Sequence, residues 1–408
     1  MRPRKRTDRS QNNRHLCFDH ELPLSYLTMS LSVQTNFPGA NACAIDIQST
    51  PDRDLVYFAA DPHHGTEALW FYFRVVECST RPVELVLTNL DTCLGGGGAH
   101  WERVRPVVRQ ADSPWERLPN AKVDTLADGR RQAAWTVVPR YDSFEFALCY
   151  PYGLGDLEMT RAASGDYWRL DLIGVTAGGQ PLPRLSNTTI ETQAPGLYLV
   201  ARQHAGETPG SWVLDGLLRR AAQVLDPSAL PIWTVPLAHL DGVVAGDYGK
   251  DSFPWDLNRA WTTPPMRHEV RVIQSDIARW AARTAPALAI DFHAPSPTET
   301  AGAFFFLPRQ ERPRESLAAA QQAIDAITPA LPKALLRTPP AHQIDYPSRW
   351  DATATLDAHI WDRYQIPCLA MEIPYASSHT TLLTRSQYHR LGAALLEAIC
   401  AHLQVELA

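Results

Sequence analysis

The sequence predicts an N-terminal antiparallel β-sandwich followed by an α/β domain, a mixed β-sheet flanked by helices. Three observations carry this expectation. The chain has 408 residues, more than one ordinary core accommodates, so two domains are expected. Up to about residue 155 the apolar runs are short, rich in β-branched and aromatic residues, and separated by turn clusters. After Gly196, strand-like apolar runs alternate with helical ones, as an α/β layer fold requires.

The first domain is placed at residues 31–155. Its strands are expected at 55–58, 69–75, 83–87, 134–138 and 144–150, with Asp61-Pro62-His63-His64-Gly65 and the glycine run at 95–98 as turns. Trp70, Phe71, Tyr72 and Phe73 read as core. No constellation of titratable groups stands out here, so this half reads as a structural or substrate-orienting module.

The second domain is placed at 156–408, opening with a transition in which a helix at 157–163 precedes short strands. Strands follow at 197–201, 232–237, 287–292 and 368–373. Helices are expected at 211–225, 268–283, 315–327 and 386–403. In the second of these, Val270, Ile273, Ile277 and Trp280 form one apolar stripe. No internal repeat is visible.

Bulk properties narrow the function. The chain is 45% hydrophobic and 20% charged, a soluble globular composition. Its formal net charge is −6, with no acidic or basic half, which argues against a general nucleic-acid binder. No run of eighteen apolar residues occurs, so no membrane span is expected. Seven scattered cysteines without a C-x-x-C pair read as reduced thiols of a cytoplasmic protein and argue against a thiolate metal site. Residues 1–30 are basic and lack an apolar segment. They read as a disordered tail rather than a signal peptide, with Met29 a candidate start. The sequence carries no signal for oligomeric state.

The informative residues stand at strand ends. The strand at 197–201 runs into Arg202-Gln203-His204-Ala205-Gly206-Glu207, the strand at 287–292 into His293, and the strand at 368–373 carries Glu372 near its end. In open α/β sheets the ligand crevice lies outside the carboxyl ends of the strands. His204, Glu207, His293 and Glu372 can therefore converge in one cleft. Two imidazoles and a carboxylate suit a catalytic zinc ion, one per chain, with a fourth position left for water. The fourth residue, a carboxylate, can take that water's proton. Residues 241–250, followed by Asp256-Leu257-Asn258-Arg259, read as a long functional loop. An Asn-Arg pair there suits a carboxylate ligand.

Together these blocks resemble the zinc carboxypeptidase family, in its cytosolic carboxypeptidase branch. The matching stretches are Arg202 to Thr208 with Ser211-Trp212-Val213, then Asp241-Gly242-Val243, Asp256 to Arg259, Asp291-Phe292-His293 and Met371-Glu372. The first half is similar to that branch's N-terminal domain at Asn36-Phe37-Pro38-Gly39-Ala40-Asn41, Trp70 to Phe73 and Tyr150-Pro151-Tyr152. The resemblance implies a carboxypeptidase-like fold with zinc on His204, Glu207 and His293. It implies Asn258 and Arg259 as holders of the substrate's terminal carboxylate, with Arg202 and Lys250 as further substrate-binding candidates. Glu372 becomes general base and then general acid.

Four departures bear on the substrate. The arginine that the branch carries before its Asp-Leu-Asn-Arg block falls on Gly249, with Lys250 beside it. His-Pro-Gly-Glu is replaced by His-Ala-Gly-Glu at 204–207. Ala294 to Glu299 lacks the second histidine of the branch, and the tyrosine upstream of the base has Tyr346 as its nearest counterpart.

The leading expectation is a metallocarboxypeptidase that releases a C-terminal residue from peptides or protein tails. A zinc amidase or esterase acting on a small or carbohydrate-linked substrate is the first alternative, with Tyr248, Trp255 and Trp261 as stacking surfaces. A non-catalytic binding protein on the same scaffold is the second. In each case the partner is a peptide or small molecule, not nucleic acid or membrane.

Overall fold

The computed structural model describes residues 30–63, 65–94, 99–188, 190–308, 312–344 and 354–408. The tail with Met29, the turn at 95–98 and Tyr346 lie outside the described residues. Among the described residues, no helix is long and apolar enough to cross a membrane.

Residues 32–147 form two five-stranded sheets. One contains β1 (Ser32–Gln34), β4 (Tyr72–Val76), β10 (Ser143–Ala147), β6 (Val107–Gln110) and β7 (Glu116–Arg117), in that order. The other runs β2 (Cys43–Ser49), β3 (Asp54–Ala59), β5 (Val83–Leu87), β9 (Arg131–Val137), β8 (Lys122–Thr125). Between the sheets Phe58 meets Phe71, Phe73 and Phe146 edge-on, Trp135 tilts against Phe71 and Phe146, Phe73 tilts against Phe146, and Phe71 stacks on Phe146. This aromatic seam is why inward positions bury and outward ones do not. The sandwich is not wholly antiparallel as expected: β3 and β5 pair in parallel. The chain leaves β3, forms β4 in the opposite sheet, and returns in the original direction. The largely exposed β2 and the short edge strands β7 and β8 carried too little apolar pattern to be foreseen.

An eight-stranded mixed sheet follows. Its order is β11 (Arg169–Val175), β12 (Pro181–Ser186), β14 (Ile232–Val235), β13 (Pro195–Ala201), β15 (Ala285–His293), β18 (Cys368–Glu372), β16 (Ala303–Pro308), β17 (Leu336–Ile344). The four central strands β14, β13, β15 and β18 are parallel, so their carboxyl ends share one edge of the sheet. β17 carries Pro339 and Pro340, tolerated because it sits at the end of the sheet.

Helices α1 (Leu154–Ala163), α2 (Thr208–Val224), α3 (Leu240–Ala245), α4 (His268–Ala281), α5 (Arg314–Ile327), α6 (Leu356–Tyr364) and α7 (Arg385–His402) complete the domain. On one face α2 meets β15, Gly210 lying against Phe292. On the other, Asp276 of α4 accepts from the Tyr198 hydroxyl of β13 at 2.9 Å. Alternation along the strands puts these contacts on opposite faces. α2 and α7 approach at backbone distance: a Cβ on Gly392 would lie 1.9 Å from the Val213 carbonyl oxygen. The stretch expected as a loop from Asp241 opens with α3 instead. Glycine and β-branched valine hid the helix, which is fixed by burial of Leu240 and Val243 and ended by left-handed Gly246. Residues Leu31–Ala408 form one compact unit.

Candidate metal centre

The parallel strand ends deliver the predicted residues to one place. β13 ends at Ala201, and Arg202 takes a left-handed φ of 63°, reversing the chain into the turn that carries His204. Glu207 is the N-cap of α2, with Pro209 in the first helical turn. His293 ends β15 and Glu372 ends β18, and these two are direct partners in the parallel register. Helix α2 therefore holds one ligand at its start, and two neighbouring strands bring the others beside it.

His204, Glu207 and His293 are buried, and one ligand atom from each lies within 4.8 Å of the others. His204 Nδ1 is 2.8 Å from Glu207 Oε1, and His293 Nδ1 is 2.8 Å from Glu207 Oε2. Both Nδ1 atoms thus face a common point. Both Nε2 atoms face away, toward carboxylates: His204 toward Asp256 Oδ1 at 3.3 Å and His293 toward Asp291 Oδ2 at 2.8 Å. Gln203 Nε2 donates to the same Asp291 oxygen at 2.6 Å, and Trp261 Nε1 donates to Gln203 Oε1 at 2.8 Å. Carboxylates behind ligand imidazoles fix ring orientation and raise basicity.

Electrostatics say what the cluster lacks. Burial alone would lower the pKa of His204, but Glu207 and Asp256 outweigh it and pull it up to about 9. His293 is likewise raised well above its ordinary value, Asp291 and Glu207 overcoming burial. For Glu207, burial is outweighed by the two imidazoles, which hold its carboxyl well below the usual range. Three buried acids around two imidazoles call for positive charge at the centre. The donor set of two nitrogens and a carboxylate fits a divalent metal ion.

Glu372 is half-buried at the end of β18, with Oε2 unpartnered among the described residues. Burial raises its pKa, the Glu207 charge adds to that, and His293 and Lys250 oppose it; the net shift is upward. The Lys250 ammonium thus acts on Glu372. Gly249, where the resemblance calls for arginine, has no room for any side chain: a Cβ there would lie 2.6 Å from the Ala205 amide nitrogen.

Other expectations need correction. Arg202 is 3% exposed, and its guanidinium donates to the carbonyls of Ala205 and Tyr152 at 2.6 and 2.9 Å and to the Ser211 hydroxyl at 3.3 Å. It braces the ligand turn from behind instead of facing a substrate. Asn258 accepts from the Leu356 amide at 3.2 Å and places Nδ2 3.0 Å from His293 Nε2, so its carboxamide is engaged behind the imidazole. Arg259 is half-buried and its charge lowers the pKa of Asp256, which keeps it at the site. Tyr248 and Trp261 are each 1% exposed, so they pack and offer no stacking surface.

Asp256, Asp291 and Gln203 were not foreseen as supports. Asp291 and His293 are two apart on one strand, hence on the same face, and that spacing was the available signal. Tyr375 was not foreseen, and Tyr248 was expected only as a stacking surface. Both are buried with hydroxyls unpartnered among the described residues, close enough to Glu207 and Glu372 for those charges to raise their pKa beyond the effect of burial.

Comparison with known proteins bears on the fold around this site. Residues 33–148 match the family model described as the cytosolic carboxypeptidase N-terminal domain. Cytosolic carboxypeptidase 6 of Mus musculus is 25% identical over 261 residues, covering 58% of this chain and 48% of the mouse protein. The chain thus spans about half the length of that relative. An uncharacterised protein of Zymomonas mobilis is 24% identical over 275 residues, covering 65% of this chain and 68% of its own length. In fold, the chain is similar to the metallo-carboxypeptidase of Burkholderia cenocepacia, with a TM-score of 0.75 at 22% identity, covering 92% of this chain and 99% of the other. It is also similar to a metallo-carboxypeptidase of Pseudomonas aeruginosa solved with (2-guanidinoethylmercapto)succinic acid, with a TM-score of 0.71 at 18% identity, covering 91% and 99%. Family model, relatives and fold point the same way: the first half is similar to the N-terminal domain of cytosolic carboxypeptidases, and the chain has a metallo-carboxypeptidase-like fold.

Proposed function

We propose that the protein is a zinc metallocarboxypeptidase that releases the C-terminal residue of a peptide or protein tail. The observation that carries this reading is the convergence of His204 Nδ1, His293 Nδ1 and the Glu207 carboxylate on one point, with Glu372 on the adjoining strand end. A zinc ion held by these three side chains would act as a Lewis acid on the scissile carbonyl and lower the pKa of a water molecule.

The chain's own residues do the rest. Asp256 and Asp291 hold the imidazoles with Nδ1 directed inward. Glu372 takes the proton of the attacking water on its carboxylate and returns it to the departing amine. Burial suits it to this, because a carboxyl group with a raised pKa exchanges protons more readily near neutrality. Lys250 supplies a point charge where the branch has an arginine fork. Arg259, half-buried at the site, would meet the substrate's terminal carboxylate, and the Asn258 carbonyl accepts from its Nη1 at 3.0 Å. The relatives' name supports a cytoplasmic setting. The amidase reading loses two of its three stacking surfaces with the burial of Tyr248 and Trp261, while Trp255 is half-buried.

The test is a panel of peptides offered with free and with amidated C-termini to zinc-loaded protein. Release of one residue from the free forms alone is expected. Equal cleavage of both forms, or cleavage only of acylated non-peptides, would sink the exopeptidase reading.

A further inference from the structure

The sandwich meets the metal-ligand turn directly where Trp70 lies against Gly206, and it also reaches the centre through the loop at residues 246–252. On the outer side of this loop the first half of the chain supplies a set of anchors. Asn41, 2% exposed, donates Nδ2 to the Gly246 carbonyl at 2.8 Å and to the Asp61 carbonyl at 3.0 Å, and accepts from the Asp61 amide at 2.8 Å. The Gly39 amide donates to the Val244 carbonyl at 2.9 Å. His63 Nδ1 pairs with the Asp247 carboxylate, and Gly65 forms an antiparallel bridge with Ser252.

On the inner side the anchors are the ligand turn and its supports. The Gly206 amide donates to the Tyr248 carbonyl at 2.8 Å. The Asp251 amide donates at 2.9 Å to Asp256 Oδ2, the other oxygen of the carboxylate that faces His204. Gly246 shows how close the fit is. Its φ is +81°, and a Cβ there would stand 2.1 Å from the Ala40 carbonyl oxygen, so only glycine lets the two backbones meet. The loop that carries Lys250 is thus clamped between the sandwich and the metal-ligand turn.

We propose that Asn41 and His63 are positioning residues of the active site: acting from the sandwich, they hold loop 246–252 so that Lys250 keeps its place against Glu372. This rests on the carboxypeptidase reading for the roles of Lys250 and Glu372. The clamp itself does not. The sandwich then serves turnover as well as folding, because a loop displaced by about 1 Å costs about 10²-fold in rate.

The primary variant is His63→Ala, because His63 is only half-buried and its loss spares the sandwich core. Asn41→Ala is the second variant, paired with a thermal-melting control. Amide hydrogen exchange, metal content, kcat and KM are measured on zinc-loaded protein, with Lys250→Ala alone and combined. In His63→Ala, exchange across 246–252 is expected to rise about ten-fold or more while α2 and β13 are unchanged. kcat should fall about ten-fold or more with KM within about threefold, and metal content should stay at the parent level. His63→Gln, which keeps a donor for Asp247, should recover most of the loss. The double variant should lose no more than Lys250→Ala alone, since both act through one element. Unchanged loop exchange, or losses that multiply, would overturn the proposal. If the parent cleaves no peptide, the carboxypeptidase reading fails while the exchange measurement still decides the clamp.

Discussion

At the scale of single residues, the carboxypeptidase reading assigns holding a cation and moving a proton to different side chains. His204 and His293 turn Nδ1 inward and are held by Asp256 and Asp291 at Nε2. Glu372 stands one strand over from His293, outside the ligand triangle. Replacing Glu372 by glutamine should therefore keep zinc at one per chain and lower kcat by about 10²–10⁴-fold, the usual worth of general acid–base catalysis. Metal analysis beside steady-state kinetics checks this, and an active Glu372→Gln would show that the base lies elsewhere. His204→Ala should lose both metal and turnover. Asp291→Asn should bind zinc about 10–100-fold more weakly, read by competition with a chromogenic chelator, because Asp291 orients the ring without touching the ion. Unchanged affinity would reduce Asp291 to a packing role.

At the scale of elements, the loop at 246–252 replaces a missing arginine with a different geometry. Gly249 has φ +84° and lies against Ala205 and the His239 ring, so the backbone passes where the branch's side chain would begin. A side chain at 249 is expected to be destabilising, not restorative. Gly249→Ala should cost at least about 1–2 kcal/mol from its left-handed φ alone, measured by urea unfolding, and should also disturb the neighbouring ligand turn. A stable Gly249→Arg variant with raised activity would contradict the steric argument. The positive charge instead comes from Lys250, whose influence on Glu372 is electrostatic. A lysine is a point donor and an arginine a planar fork, so the site should orient the scissile carbonyl less strictly than its relatives do.

At the scale of the whole molecule, stability should depend on both cation and pH. The metal binds a preformed acidic cluster in the folded chain, so chelation should lower Tm by mass action, and zinc should restore it. The pH dependence comes partly from two buried histidines away from the ligands. Burial, with Arg267 nearby, lowers His239 from 6.5 to about 4, and burial, with Arg363 nearby, lowers His359 to about 4. Between those values the unfolded chain binds protons that the folded chain refuses. Their contribution is therefore full above about pH 6.5 and is lost as pH falls toward about 4. Urea unfolding near neutrality and at about pH 5 should show a smaller stability loss for His359→Gln than for the parent. An equal loss would mean that His359 does not titrate as its burial requires.

The α/β pattern, the four metal-centre positions and the general character of the first half were legible in the sequence, because each is a local property. Apolar periodicity reports strands and helices, and polar residues at strand ends report a cleft. What the sequence could not show was contact between distant backbones. That Arg202 turns inward onto Tyr152, that Asn258 is engaged behind His293, and that Gly249 leaves no room for a side chain depend on surfaces separated by tens to hundreds of residues. The role of Asn41, a sandwich residue touching a loop 205 positions away, is of the same kind. Residue types fixed which chemistry was possible; only tertiary packing decided which polar groups are taken up inside the fold, because a buried polar group must satisfy its nearest partner first.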